Sequence, residues 1–476
     1  MGCRHSRSPG TAGFLEGSCM SAGLNIAPPA SRLSATDAFF VAYQQRSGIL
    51  MQLGGEIELE GELGRDDLEQ MISHIVGRWP RLGQAVKKGL FGLKWKGNCL
   101  TESMLRIGNG RNALTEWRNE LIDPFHEPPF QVLWIPPPHP AATFPGPNGE
   151  SNTLAFRAHH AVMDGESFIA VTADAAHFLT QVRKGKQPSP PQPARATTLK
   201  DLISLGQLIR RRRVGSLWRY ARGLAAEARA GRSARLAMDE CSTGTTHTCE
   251  RTLDHDAFSR LKQRALAVHV APAWLCAAAW MRAIRDWNVS QGLPSNDLIS
   301  LEFPVSLRRG CNHDRKNGHD LLGNFISPLV LFGDATQSLD RLARDLRRQL
   351  MQAIRSQSHL GTPLLTAPGK FLPWSLFQRV AANPLTTGFA TSHFTWFEQS
   401  DVHASIARLS EGALRLTAQR IYTPVCLHMG AAVAVLASPD YAQIFLTYRA
   451  TALSAQAAEQ LIDLIVAELE CKPQKI

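Results

Sequence analysis

A chain of 476 residues is too long for one compact core of ordinary size, so two lobes are expected. Hydrophobic residues make up 44% and charged residues 20%, a balance that excludes the disordered and fibrous classes. The net charge of +11 is local: nine arginines and one acidic residue, Glu227, lie between Arg210 and Arg235 and supply +8 of it, so the basic balance points to an anionic surface or ligand near one segment more than to nucleic acid.

Residues 1–30 are rich in Gly, Ser and Pro and lack the apolar run of a signal peptide; they read as a disordered tail, with Met20 an alternative start. Ser34-Ala-Thr-Asp37 ahead of Phe39-Phe40-Val41 reads as a helix start. Ile57 and Leu59 alternate with Glu56, Glu58 and Glu60, which predicts a strand. Asp66 to Val76 predicts a helix with Leu68, Met71, Ile72 and Ile75 on one face. Phe130–Ile135 is a predicted strand stopped by Pro136-Pro137-Pro138. A strand carrying Leu154, Phe156 and Ala158 runs into His159, and a helix follows Gly165 as far as Lys184-Gly185-Lys186. Gln187 to Ala196 is a proline-rich crossover, and an arginine-rich helix comes next. Leu253–Trp287 reads as mostly helical. Ile299–Leu307, Phe325–Phe332, Ala390–Phe397, Ala413–Ile421, Ala431–Leu436 and Ile444–Tyr448 read as strands, and Ala457–Leu469 as a closing amphipathic helix. The expected organisation is a tail (1–30), an N-terminal lobe (31–183), a crossover with the basic helix (184–245) and a C-terminal lobe (246–476). The fold class is mixed α/β (α+β).

The nine cysteines are dispersed, without a Cys-x-x-Cys pair, which favours reduced thiols and a cytoplasmic location. Cys311, His313 and His319 lack a fourth ligand at a usual spacing, so no metal is expected. No apolar run reaches the ~18 residues of a bilayer span.

Chemistry concentrates in His159-His160-Ala161-Val162-Met163-Asp164-Gly165, between a predicted strand and a predicted helix. An imidazole titrates near neutrality, so it can take a proton from a hydroxyl or amine and return it to a leaving thiolate. Adjacent residues on extended backbone point in opposite directions, so one histidine should be catalytic and the other supporting. Asp164 can accept backbone N–H groups at the helix start or pair with an arginine. Gly165 permits a turn or a close backbone approach.

The seven-residue motif resembles the signature of the chloramphenicol-acetyltransferase-like superfamily. That superfamily includes condensation domains of peptide synthetases, wax ester synthases/diacylglycerol acyltransferases and plant-type acyl-CoA transferases. Leu33-Ser-Ala-Thr-Asp37-Ala-Phe-Phe, the stretch from Leu68 to Trp79-Pro80-Arg81-Leu82, Pro304-Val305-Ser306-Leu307-Arg308 and Leu322-Gly323-Asn324-Phe325 resemble further family segments in the expected order. The resemblance implies two lobes, each a mixed sheet with flanking helices, and an active-site tunnel between them. It implies that His160 is the base, that Asp164 is structural with Arg308 as candidate partner, and that Asn324 helps shape the tunnel. For Arg308 a solvated strand end, and for Asn324 an ordinary turn, are the plain alternatives. The late second lobe departs from the subfamily patterns: Thr391-Ser392-His393-Phe394-Thr395-Trp396-Phe397 stands there, and Ser392 or Thr391 is a candidate hydroxyl donor to an oxyanion.

The expected activity is transfer of an acyl group from a thioester, acyl-CoA, to a hydroxyl acceptor, with no bound cofactor. One alternative is a free-standing condensation enzyme that takes its acyl group from an acyl-carrier protein and forms an ester or amide. Another is a family member that binds without turnover. Trp218 and Tyr220 beside the arginines of 208–235 fit peripheral membrane contact, docking of an acidic carrier, or a solvated crossover helix.

Overall fold

The computed structural model describes residues 31–89, 92–99, 101–137, 151–186, 188–192, 215, 218, 233–239, 242–293, 297–308, 321–361, 369, 371–381, 390–398 and 414–470. Most of the crossover, nearly all of the arginine-rich segment, and Cys311, His313 and His319 lie outside these residues. Two mixed layers of sheet and helix are present, in keeping with the expected two-lobed α/β class.

In the first lobe, α1 (Ala35–Ser47) opens on a capping box. Ser34 Oγ accepts from the Asp37 N–H at 3.0 Å, and the Asp37 carboxylate accepts from the Ser34 N–H at 3.1 Å. Such a cap contributes about 1 kcal/mol. The helix ends at Gly48 with φ 71°, where a side chain would be strained. β1 (Gln52–Glu60) follows, then α2 (Arg65–Arg78), whose Leu68, Met71, Ile72 and Ile75 are buried. A hairpin of β2 (Gln84–Lys88) and β3 (Leu93–Cys99), the short β4 (Leu105–Ile107) and α3 (Gly110–Asn119) lead to β5 (Phe130–Ile135) and β6 (Ser151–His159). α4 (Gly165–Arg183) closes the lobe.

The second half contributes β7 (Thr246–Leu253), α5 (His255–Ala267), α6 (Pro272–Ser290), β8 (Leu298–Ser306), β9 (Ile326–Asp334), α7 (Leu339–Arg355), α8 (Trp374–Ala381), β10 (Ser392–Glu398), β11 (Arg415–Tyr422), β12 (Ala431–Ala437), β13 (Ala442–Arg449) and α9 (Ala455–Glu470). Its sheet runs β7-β13-β12-β10-β8-β9, with β10 parallel to β8 and β12 and the other pairings antiparallel. α6 is buried along almost its whole length, with α7 and α9 packed beside it.

The two halves do not stay apart. β11 joins the first sheet, whose order is β11-β1-β6-β5-β4. The reason lies partly in charge. Glu58 and Glu60 of β1 face Arg420 and Arg415 of β11 at 3.2 and 3.3 Å, while Glu56 is buried against Arg118 of α3. The alternating glutamates are therefore only partly a solvent face. Phe377 and Ala381 of α8, with Leu322 and Leu414, also pack into the first lobe's core. β6 lies between β1 and β5, so its C-terminal end is held on both sides where the histidines begin.

Candidate active site

The strand ends at His159, and the chain turns at once, with the Val162 N–H donating to the His159 carbonyl at 3.0 Å. This turn separates the two histidines. His159 is fully buried, and its Nδ1 accepts from the Ala161 N–H at 3.0 Å, so its proton sits on Nε2. Burial, with His160 beside it, pushes the His159 pKa down to about 3, so the ring stays neutral.

The His160 backbone is pinned from both sides: its N–H donates to the Met51 carbonyl at 2.7 Å, and its carbonyl accepts from Asn324 Nδ2 at 2.6 Å. Its ring stacks on Phe40, with centroids 3.9 Å apart. Nδ1 lies 3.0 Å from Asn324 Oδ1. Asn324 can present only its oxygen there, because its Nδ2 also donates to the Asp37 carboxylate at 2.9 Å. A carbonyl oxygen facing Nδ1 requires the proton on Nδ1 and leaves the lone pair on Nε2. Burial lowers the His160 pKa. Its own carbonyl, Asp164 and Asn324 pull it back up, and the net direction is down. The neutral, basic form is thus favoured at neutral pH.

Asp164 caps α4, with Oδ1 accepting from the Ser167 N–H at 2.9 Å. It is fully buried and receives a two-pronged ion pair from Arg308, at 2.8 Å to Oδ2 and 2.9 Å to Oδ1. The Phe325 N–H donates to Oδ2 at 2.8 Å. Burial alone would raise the Asp164 pKa; the Arg308 guanidinium outweighs it and holds the carboxyl below the ordinary range. Arg308 also donates to Ser167 Oγ at 2.6 Å and lies over the Phe325 ring. The pair therefore clips the loop 321–325 of the second half onto the start of α4. Gly323, at φ 148°, presents its carbonyl to the Asp164 N–H and to Ser167 Oγ. Gly165 is a matter of space: a Cβ there would stand 2.7 Å from the Phe397 ring of β10.

The structure thus brings His160, Asn324, Asp164, Arg308 and Gly165 together at the seam between the lobes. One role is corrected. The Ser392 hydroxyl is almost fully buried and donates to the Ser300 carbonyl at 2.9 Å, and Thr391 is tied to the same residue, so neither offers a proton to an oxyanion. Asn324 is more than a turn residue, because it orients the His160 ring. Sequence reasoning also passed over Asp37 and Phe40. Asp37 was visible only as a helix cap and Phe40 only as apolar surface. Among the described residues no group of three or more His, Cys, Asp or Glu could hold a metal ion, and no single helix is long and apolar enough to cross a membrane.

No family model and no curated protein matches the chain. Solved structures do. The trichothecene 15-O-acetyltransferase TRI3 from Fusarium sporotrichioides superposes with a TM-score of 0.67 at 11% identity, over 92% of this chain and 94% of that one. The starter condensation domain of rhizomide synthetase, solved with C8-CoA and Leu-SNAC, gives 0.62 at 12%, over 92% and 94%. The X-domain of teicoplanin biosynthesis, solved in complex with OxyB, gives 0.60 at 16%, over 93% of each chain. The chain has the two-lobed fold shared by these acyltransferases and condensation domains.

Proposed function

We propose that the protein is an acyltransferase that moves an acyl group from acyl-CoA to a hydroxyl acceptor, with His160 as general base. The observation that carries this is the imidazole itself: Nδ1 is committed to Asn324, and Nε2, without a hydrogen bond to any described residue, keeps its lone pair at the seam. In the proposed reaction His160 Nε2 takes the acceptor's proton, and the alkoxide attacks the thioester carbonyl. The tetrahedral intermediate then collapses, and the proton goes to the leaving thiolate. The imidazolium formed on the way is stabilised by the Nδ1–H bond to Asn324. Asp164 and Arg308 take no proton and hold the seam closed around the ring. His159, neutral and buried, supports the turn. The resemblance to an acetyltransferase and to a condensation domain solved with C8-CoA supports this reading.

A second reading keeps the same base and replaces acyl-CoA with an acyl-carrier protein; similarity to condensation domains favours it, and the arginines of 208–235 would dock the acidic carrier. Binding without turnover is a third, suggested by the X-domain's complex with OxyB. A cytoplasmic location, with the basic segment against a membrane surface, belongs to the same proposal. The test is thiol release from a panel of acyl-CoAs and acyl-loaded carrier with alcohol acceptors, for wild type and His160→Ala. The expected loss is ~10²–10⁴-fold. Equal rates in the two proteins overturn the base, and release from the carrier alone overturns acyl-CoA as donor.

A further inference from the structure

The second-lobe sheet has two faces. Ile299, Leu301 and Phe394 belong to the helix-covered core, with Phe303, Val305 and Trp396 packed against it. Side chains alternate along a strand, so the residues between them face the other way. Two contacts show where that face looks: Ser306 Oγ donates to Glu166 of α4 at 2.9 Å, and Phe397 lies against Gly165. It fronts the first lobe, where His160 is.

On this face Glu302 of β8 and His393 of β10 are register partners on parallel strands. His393 Nδ1 is 3.8 Å from the Glu302 carboxylate, within ion-pair range but too long for a hydrogen bond. The His393 imidazole, at that longer distance, is the nearest cation or donor to the carboxylate among the contacts of the described residues. The Glu302 side chain, on the face that fronts the first lobe, is still 30% exposed, so a solute can reach it. Burial raises its pKa; His393, then His428 and His160, outweigh this and hold it below the ordinary glutamate value. The same proximity places it within electrostatic reach of the proposed base. A carboxylate so placed has only a distant imidazole beside it, and a ligand that brings a closer donor makes a shorter, charge-assisted hydrogen bond.

We propose that Glu302 is a specificity-determining residue that accepts a hydrogen bond from a second hydroxyl or an ammonium group of the acceptor, next to the nucleophilic hydroxyl. The acceptor is then a diol or amino alcohol and not a simple alkanol. This rests on the reading of His160 as the base that receives the acceptor. The probes are 2-amino-1-octanol, 1,2-octanediol and 1-octanol, titrated calorimetrically into the full chain in the presence of CoA. Wild type should bind the first two roughly 10-fold or more tightly than 1-octanol. Glu302→Gln should lose that advantage without altering 1-octanol binding, whereas His393→Gln, with the carboxylate intact, should keep it. If Glu302→Gln melts early, Glu302→Asp carries the test: its shorter carboxylate should weaken amino-alcohol binding by about 10-fold and leave 1-octanol unchanged. Equal affinity of wild type for the three probes, or an intact preference in Glu302→Gln, overturns the proposal. Transfer from acetyl-CoA to the same compounds is followed in parallel. A Glu302-dependent preference without transfer to any of them would overturn the acyltransferase reading and leave the subsite standing.

Discussion

Asn324→Leu separates positioning of the proposed base from the base itself. The substitution removes the oxygen facing His160 Nδ1 and the amide donor to Asp37 and to the His160 carbonyl, and keeps the imidazole itself. In the resting enzyme the lost bond joins neutral groups. In the transition state it joins an imidazolium to a carbonyl, and such a bond is worth about 1.5–3 kcal/mol. At about 1.4 kcal/mol per decade, kcat should fall by roughly 10- to 150-fold. The upper end of that range only meets the lower end of the ~10²–10⁴-fold loss expected for His160→Ala. The pH profile gives a second, independent readout. His160 must be neutral to act, so activity falls as pH drops through its pKa. Burial holds that pKa below the free-imidazole value, and the wild-type acid limb should inflect below 6.5. The Asn324 hydrogen bond raises the pKa, so removing it should move the limb to still lower pH. The assay is thiol release from acyl-CoA under saturating acceptor between pH 5 and 8. A wild-type kcat in Asn324→Leu, or a limb displaced to higher pH, would refute the reasoning.

Arg308→Met strands the Asp164 carboxylate in a fully buried site. Breaking a buried pair from one side costs about 3–5 kcal/mol, so a marked drop in melting temperature is expected, with Asp164→Asn/Arg308→Met less destabilised than the Arg308 single variant. Ser392→Ala should leave kcat within about threefold and cost roughly 0.5–1.5 kcal/mol in denaturant unfolding, because its hydroxyl serves Ser300; a hundredfold loss of kcat would restore it as an oxyanion donor. His159 makes folding sensitive to acid. Its folded pKa of about 3 lies below the unfolded value near 6.5, so its contribution is complete above 6.5 and is lost as pH falls from 6.5 toward 3. The stability of wild type relative to His159→Phe should decline by about 1.4 kcal/mol per pH unit across that window, and parallel curves for the two proteins would count against a neutral, buried His159.

Much of the local structure was legible in the residues. The Ser34-to-Asp37 cap, the 3.6-residue pattern of α2 and α4, and the alternation before His159 each depend on neighbours within a few positions. The strands β2, β3, β4 and β7 were not read, nor were α3, α7 and α8. β4 spans only three residues and β2–β3 is a separate hairpin, so neither carries a long pattern. α7 is a different case: Leu339, Leu342, Ala343 and Leu346 form a clear buried stripe that the reading passed over.

The sequence by itself determined that the two motif histidines stand at a strand-to-helix turn, and that Asp164 is placed to cap the helix beyond it or to pair with an arginine. These follow from backbone geometry and side-chain hydrogen bonding over a few residues. Only the tertiary structure decided that Asn324, 164 residues from His160, faces its Nδ1 and sets the tautomer of that ring. It alone joined Asp37 to that chain of contacts, carried β11 back across the lobes, and withdrew Ser392 from the site. A hydrogen bond's direction is fixed by where the other partners of both groups lie, and for Asn324 and Ser392 those partners come from a helix, a turn and a strand that only folding brings together.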